Sequence, residues 1–411
     1  MANLGYGAVY HLISRENKLK QGRSEDAVIA RVDDLLYTAL SLRASDVHLQ
    51  PYEDAVMVRY RIDGVLYDQH SLDGTQVPLI ISRFKILAHL DIAQRRLPQD
   101  GHFKAIVDDA YEPIDFRVAT FPTLYGEKIV IRILDRSQRL LALDALGMET
   151  TMYHTLVDLV RRPHGLFLVT GPTGAGKTTM LYAVISSLNA RSHNIVTIED
   201  PIEYELAGIT QSQVNERAGF TFHNGLRSML RQDPDIIMIG EIRDKDTAQI
   251  AIESALTGHL VLSTLHTNDA ISAVTRLLEM GIEPFLLSGT MVGVLAQRLV
   301  RRLCTVCKRA VQISDVYSTR AAACGVGIDM VNEPVGCKAC NNLGYKGRVG
   351  IFELLLINDA MRTLIVAKED TVTLRKQARN AGMQSLMYDA WNKVKQGITS
   401  CKELEVLMSE G

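Results

Sequence analysis

The stretch GPTGAGKTT, residues 171–179, decides how this chain is read. The apolar run GLFLVT (Gly165–Thr170) leads into it, and the helix-like run MLYAVISSL, residues 180–188, leads out of it. Strand, glycine loop and helix in that order make the pattern GxxxxGK[ST] a phosphate cradle. Its glycines let the backbone curl so that N–H groups converge on phosphate oxygens. Lys177 adds a charge, and the helix that follows adds the positive end of its dipole. The expected nucleotide contacts are therefore Gly171, Pro172, Thr173, Gly174, Ala175, Gly176, Lys177, Thr178 and Thr179. ATP and Mg²⁺ are the expected ligands, with Thr178 holding the metal.

Three more apolar runs follow at 195–198, Ile236–Ile239 and 260–264, and helical patterns alternate with them. Such runs belong to a doubly wound, mostly parallel sheet whose strands are buried on both faces. Ligands of these sheets sit at the C-terminal ends of the strands, and there the chain places acids. In DPDIIMIGEIRD the carboxylate is Glu241. In IVTIEDPIEY the candidates are Glu199, Asp200 and Glu203, with Pro201 turning the chain off the sheet. His266, in HLVLSTLHTNDA, follows another strand and offers an imidazole to a γ-phosphate. A hydrolytic site needs acids of this kind to hold the metal's waters and to activate the attacking one.

Upstream the periodicity differs. Residues 25–43 carry a helical stripe, 47–49, 56–60 and 65–68 read as short strands, and Asp63 and Gly64 supply a hairpin turn. A helix over 78–90 and strands at 115–119 and 128–134 complete an α+β unit. The expected organisation is an arm of uncertain structure (1–24), the α+β domain (25–136), a linker (137–147), the ATPase domain (148–302), a tetracysteine module (303–350) and a helical extension (351–411).

At 411 residues the chain is long enough for two or three domains, and 47% hydrophobic with 22% charged residues describes a globular protein. The formal net charge of -2 argues against a general nucleic-acid or anionic-lipid binder. No run approaches the ~20 apolar residues of a spanning helix. The N-terminus lacks a secretory signal pattern, so a cytoplasmic location is expected. Cys304, Cys307, Cys337 and Cys340 form two CxxC hooks that suit a closed, structural tetrahedral Zn²⁺ site. Redox pairs are the competing reading. Cys324 and Cys401 read as small apolar residues.

Taken together, GPTGAGKTT, IEDPIEY, DPDIIMIGEIRD and TGHLVLSTLHTNDA resemble the Walker A, Asp, Walker B and His boxes of the secretion ATPase superfamily. ASDVHLQP, VRYRIDGVL, RRLPQDG, DFRVATFPT and GEKIVIRILD resemble the second N-terminal domain of its type II secretion and type IV pilus assembly branch. The resemblance runs from about residue 25 to the C-terminus. It implies an α/β fold: a RecA-like P-loop ATPase domain, a smaller α+β N-terminal domain, a zinc-binding insert and a helical C-terminal extension. It also implies that Lys177 and Thr178 bind phosphate and Mg²⁺, that Glu241 acts near the metal, and that Glu199 activates water, the division between the two acids being left open.

By the same resemblance Arg117 and Arg132 are arginines that reach phosphate from the N-terminal domain. The metal-bound insert resembles that of assembly ATPases, which retraction ATPases usually lack. The motor so implied is a homo-hexamer, peripherally associated with the inner membrane through a platform protein and other assembly proteins. Two departures stand out: Gln50 replaces a family carboxylate, and only residues 1–24 precede the match, so docking to the membrane platform is expected to differ. The alternative is a nucleic-acid translocase or DNA-uptake motor, with Arg298, Arg301, Arg302, Lys308 and Arg309 as the DNA contact. No aromatic platform is interleaved with those cations, so no direct nucleic-acid contact is expected.

Overall fold

The computed structural model describes residues 10–12, 27–108, 113–134, 141–188 and 192–409. The chain divides into two compact units, Met1–Arg139 and Leu140–Gly411. The expected arm lies outside the described residues except for 10–12, as do residues 135–140 around the start of the expected linker.

The first unit contains β1 (Tyr10–Leu12), α1 (Ala27–Ser41), β2 (Ala44–Pro51), β3 (Ala55–Ile62), β4 (Val65–Asp73), α2 (Val77–Leu87), β5 (Gln99–Val107), β6 (Ile114–Thr123) and β7 (Gly126–Leu134). They form one sheet in the order β1-β5-β6-β7-β2-β3-β4, antiparallel except where β1 meets β5. Alternation builds its inner face: Phe103, Phe116, Val118, Ile129 and Ile131 are buried, and the rings of Phe103 and Phe116 stack 4.9 Å apart. The α1 stripe Val32, Leu35, Leu36 and Ala39 is buried as well. Asp63 and Gly64 both take positive φ, 49° and 92°, as a two-residue hairpin turn between paired strands requires. Strand β5 escapes the sequence reading because it opens on Gln99-Asp100-Gly101. Gly101 is needed there, since a Cβ would stand 2.3 Å from the Ala88 carbonyl.

The second unit contains α3 (Thr150–Val160), β8 (Gly165–Thr170), α4 (Lys177–Ser187), β9 (Ile195–Glu199), β10 (Thr210–Gln213), α5 (Phe222–Met229), β11 (Ile236–Ile239), α6 (Lys245–Leu256), β12 (Leu260–Leu265), α7 (Ala270–Glu279), α8 (Pro284–Thr290) and β13 (Met291–Leu303). Next come β14 (Arg309–Gln312), α9 (Asp315–Ala323), β15 (Met330–Glu333) and β16 (Tyr345–Leu356). Last are α10 (Asp359–Val366), α11 (Thr371–Asn380), α12 (Leu386–Lys395) and α13 (Cys401–Ser409). The main sheet runs β10-β9-β11-β12-β8-β13-β16, parallel up to β13 and closed by antiparallel β16. All four strands read from apolar runs are present, and β8, β9, β11 and β12 are buried along their whole length.

Two features depart from the sequence reading. The strongly basic QRLVRRL segment is the second half of β13, an interior strand. Residues 351–356, expected to begin the helical extension, are the end of β16, buried as far as Leu355, and helix resumes at Asp359. The cysteine module is the excursion between β13 and β16. Its Ala321, Val326, Ile328 and Val331 share a core with Trp391 and Val394 of α12 and Leu404 of α13. Among the described residues no helix is long and apolar enough to cross a membrane.

Candidate nucleotide and metal sites

The loop between β8 and α4 is tightly backed by β13. A Cβ on Gly171 would stand 2.4 Å from the Gln297 carbonyl oxygen, and one on Gly176, which has φ 85°, would stand 2.8 Å from the Gln297 Nε2. Only glycine fits either place. Lys177 opens α4, and its Nζ donates to the carbonyls of Gly171 (2.8 Å) and Pro172 (3.0 Å). Burial, aided by Arg298 and opposed by Glu241, lowers its ammonium to about 8. Thr173, Gly174 and Thr178 are exposed and Thr179 is half-buried.

The structure brings Lys177, His266 and Glu241 together. His266 Nδ1 lies 3.5 Å from Lys177 Nζ, and its Nε2 lies 3.3 Å from Glu241 Oε2. An ammonium can only donate and a carboxylate can only accept, so this placement fits the tautomer with its proton on Nε2. The other Glu241 oxygen pairs with Arg243, which also approaches Asp200 at 3.8 Å. Burial pushes the Glu241 carboxyl up, but Arg243 and His266 outweigh it and hold it below its ordinary value.

The loop bearing His266 is fixed from three sides. Thr170, the last residue of β8, donates to the Leu265 carbonyl (3.1 Å), accepts from the Thr267 N–H (3.0 Å) and meets the Thr267 hydroxyl at 2.7 Å. Arg298 donates to Asn268 Oδ1 (3.2 Å). Asp269 caps α7 through the Ser272 N–H and pairs with Arg375 of α11 at 2.6 Å. Buried Glu353 of β16 accepts the first N–H of α7, from Ala270 (3.0 Å), and the first of α12, from Leu386 (3.3 Å). Thr170, Glu353 and Arg375 are site residues that the sequence does not single out. Only Thr170 carries a local signal, standing between strand and cradle.

Glu199 stands apart from that cluster. At 2% exposed, it accepts from Thr197 Oγ1 (2.6 Å), Gln211 Nε2 (3.0 Å) and the Tyr182 hydroxyl. Its backbone nevertheless abuts Gly240, next to Glu241. Arg117 and Arg132 belong to the first unit, where they are cross-strand partners on β6 and β7, and Arg132 Nε donates to buried Asp46 at 3.0 Å. Gln50 is half-buried on β2, opposite Met57.

The four cysteine sulfurs lie within 4.8 Å of one another. Cys304–Cys337, Cys307–Cys340 and Cys337–Cys340 are separated by 3.9, 3.8 and 3.8 Å. Four thiolates about 2.3 Å from a central ion place neighbouring sulfurs roughly 3.8 Å apart, so the set fits a tetrahedral metal and not disulfides. Backbone N–H groups of Gly336, Cys337 and Gly344 point at Cys307 and Cys340 sulfurs at 3.2–3.3 Å, which suits thiolate acceptors.

The basic cluster is largely committed to the fold. Arg301 makes three bonds to Glu403 of α13 and lies over the Tyr345 ring, Lys308 donates to the Gly397 carbonyl, and Arg298 is buried beside Asn268.

A family model described as "Type II/IV secretion system protein" matches residues 21–406. The type II secretion system protein HxcR of Pseudomonas aeruginosa is 51% identical over 92% of this chain and 76% of its own length. The type IV pilus assembly ATPase PilB of Myxococcus xanthus is 45% identical over 94% of this chain and 69% of its own. Among solved structures, the pilus retraction motor PilT with bound ADP aligns over 93% of this chain and 97% of its own at 25% identity, with a TM-score of 0.60. The ATPase DotB of Legionella pneumophila shares the fold over 98% of this chain and all of its own, at 21% identity and a TM-score of 0.68. This chain belongs to the Type II/IV secretion system protein family and is an ATPase of its secretion and pilus motors.

Proposed function

On that membership, we propose that the protein is a homo-hexameric, ATP-hydrolysing motor that assembles a pilus or pseudopilus for type II secretion or type IV pilus biogenesis. It works from the cytoplasmic side, held at the inner membrane by a platform protein and other assembly proteins. The observation that carries this reading is the convergence of Lys177, His266 and Glu241 at the strand ends beside the glycine loop.

In this reading the loop from Gly171 to Thr179 binds the phosphates of ATP and Thr178 ligates Mg²⁺. Bound Mg²⁺ supplies neutralisation of charge on the transferring phosphoryl group. Lys177 exchanges its two loop carbonyls for phosphate oxygens. His266, oriented by Glu241, presents its ring to the terminal phosphate, Glu241 acts near the metal, and Glu199 takes a proton from the attacking water. Arg117 and Arg132 are the arginines that bring guanidinium charge to the phosphates. Zn²⁺ is the ion assigned to Cys304, Cys307, Cys337 and Cys340, a choice supported by the all-sulfur, tetrahedral donor set.

Steady-state phosphate release tests the core of this reading. Lys177→Ala is expected to remove activity, and Glu199→Gln and Glu241→Gln, made separately, are expected to bind ATP and not turn it over. Full activity in either Gln variant removes that residue from the mechanism. Stimulation by single-stranded DNA in place of a platform-protein domain would favour a translocase, a reading that the occupied Arg298 and Arg301 disfavour.

A further inference from the structure

We propose that Tyr182 is a positioning residue that, with Thr197 and Gln211, stores the Glu199 carboxylate away from water and so sets when that acid can act. The inference rests on the reading of Glu199 as the acid that activates water. Three donors from three elements converge on one carboxylate. The Tyr182 hydroxyl comes from α4, Thr197 Oγ1 from β9 at 2.6 Å, and Gln211 Nε2 from β10 at 3.0 Å. Thr197 and Gln211 are opposite one another in the parallel register, and Glu199 lies two residues beyond Thr197 on the same face.

A general base must come within about 2.6–3.2 Å of the oxygen whose proton it takes. Glu199 is 2% exposed and three of its roughly four acceptor positions are filled, so water reaches it only after the side chains enclosing it move. Glu241, by contrast, has an 18% exposed side chain.

The donors also tie the stored carboxylate to the segment that follows it. Tyr182 accepts the Glu203 N–H (3.2 Å), and Gln211 bonds the Tyr204 carbonyl (3.0 Å) and the Leu206 N–H (2.7 Å). Tyr182 itself is fully buried, its ring edge-on to Tyr204 at 6.1 Å. Helix α4 starts at Lys177, so one rigid element carries the phosphate-binding ammonium at its first residue and the latch one and a half turns later. A change at the phosphates that shifts α4 therefore acts on Glu199 directly.

Tyr182→Phe removes one oxygen and keeps the ring. It leaves a buried carboxylate oxygen without its donor, which raises the free energy of the stored arrangement relative to the released one. Phosphate release by the full chain is then expected to rise about three- to tenfold in kcat with KM for ATP unchanged. Tyr182→Phe/Glu199→Gln should fall to the level of Glu199→Gln alone. Gln211→Met, which withdraws a different donor, should raise kcat as well, and covers the case in which Tyr182→Phe fails to fold. A folded Tyr182→Phe or Gln211→Met with kcat equal to or below the parent overturns the latch, as does a rise that survives Glu199→Gln. Full activity of Glu199→Gln alone, whatever Tyr182→Phe does, overturns instead the role of Glu199 on which the latch rests.

Discussion

The glycine loop, read as a phosphate cradle, and the cysteine module are both candidate ligand sites announced by short motifs, yet they are supported in opposite ways. The cradle sits at the end of a sheet whose strands are buried on both faces, and β13 fixes its backbone through close contacts at Gly171 and Gly176. It is rigid because of what lies beneath it. The module has one small two-stranded ladder, β14 with β15, and borrows the rest of its core from α12 and α13. Its shape depends on four thiolates and on helices that arrive some 50 residues later in the chain. A preformed site binds its ligand without being made by it, whereas a thiolate cluster and its fold form together.

The largest expected effect breaks the module and spares the cradle. Structural zinc contributes apparent free energies on the order of ten kcal/mol in small sites of this kind. Metal-replete, reduced protein should carry one zinc per chain, and a strong chelator should expose residues 304–340 to proteolysis while α4 and β8 stay protected. Far less than one zinc per chain would end the assignment.

Next in size is the join between the two regions. Lys393 and Asp389 of α12 form a buried pair, and Asp389 also accepts the Phe352 N–H of β16 at 2.8 Å. Lys393→Met strands that carboxylate and should cost about 3–5 kcal/mol, read as a lowered denaturation midpoint. Asp389→Asn/Lys393→Met should recover most of the loss, because the amide oxygen still accepts from Phe352 while no charge is left unpaired.

How far the sequence discloses each region follows from the length of the interactions that build it. Four parallel strands, the glycine loop and the CxxC hooks are contiguous patterns, and each is legible in a window of ten residues or so. Strand β13 is not. Its second half, from Gln297 to Leu303, is crowded with arginines, and the partners that let it be buried, Asn268 for Arg298 and Glu403 for Arg301, lie 30 and 102 residues away. The same holds for Glu199. Its position at a strand end is visible in IVTIEDPIEY, but its three donors are supplied by Tyr182, Thr197 and Gln211, which only the sheet order brings together. The arginine run that reads as a DNA contact is likewise explained by side chains that no local pattern connects to it.

A smaller effect sharpens the cradle's side of the comparison. With its ammonium near 8, Lys177 is mostly charged at pH 7 and mostly neutral at pH 9. Phosphate favours the charged form, so binding ATP above pH 8 must draw in a proton. Affinity should be flat below about pH 8 and then weaken by up to about tenfold per pH unit. Calorimetry at pH 7 and pH 9, in buffers of different ionisation enthalpy, should show proton uptake only at the higher pH. Lys177→Arg should abolish that dependence, since a guanidinium stays charged throughout. Equal affinity at both pH values would mean that the ammonium is not depressed.

The smallest effect concerns the strut between the C-terminal helices and the loop of His266. The Arg375–Asp269 pair is partly exposed, so its direct worth is about 1 kcal/mol or less. Arg375→Met should therefore barely move the melting temperature. Asp269 keeps its bond to the Ser272 N–H, and Glu353 still holds the first N–H of α7. What changes is the freedom of residues 266–269, which lose their tie to α11 and keep those to Thr170, Arg298, Glu241 and the start of α7. If the strut matters to His266, kcat should fall a few-fold with KM unchanged, and Arg375→Met added to His266→Ala should cost nothing further. Independent, multiplying losses in that double variant would place Arg375 in a role separate from His266, and the pair would then belong with the supports that hold α11 to the sheet.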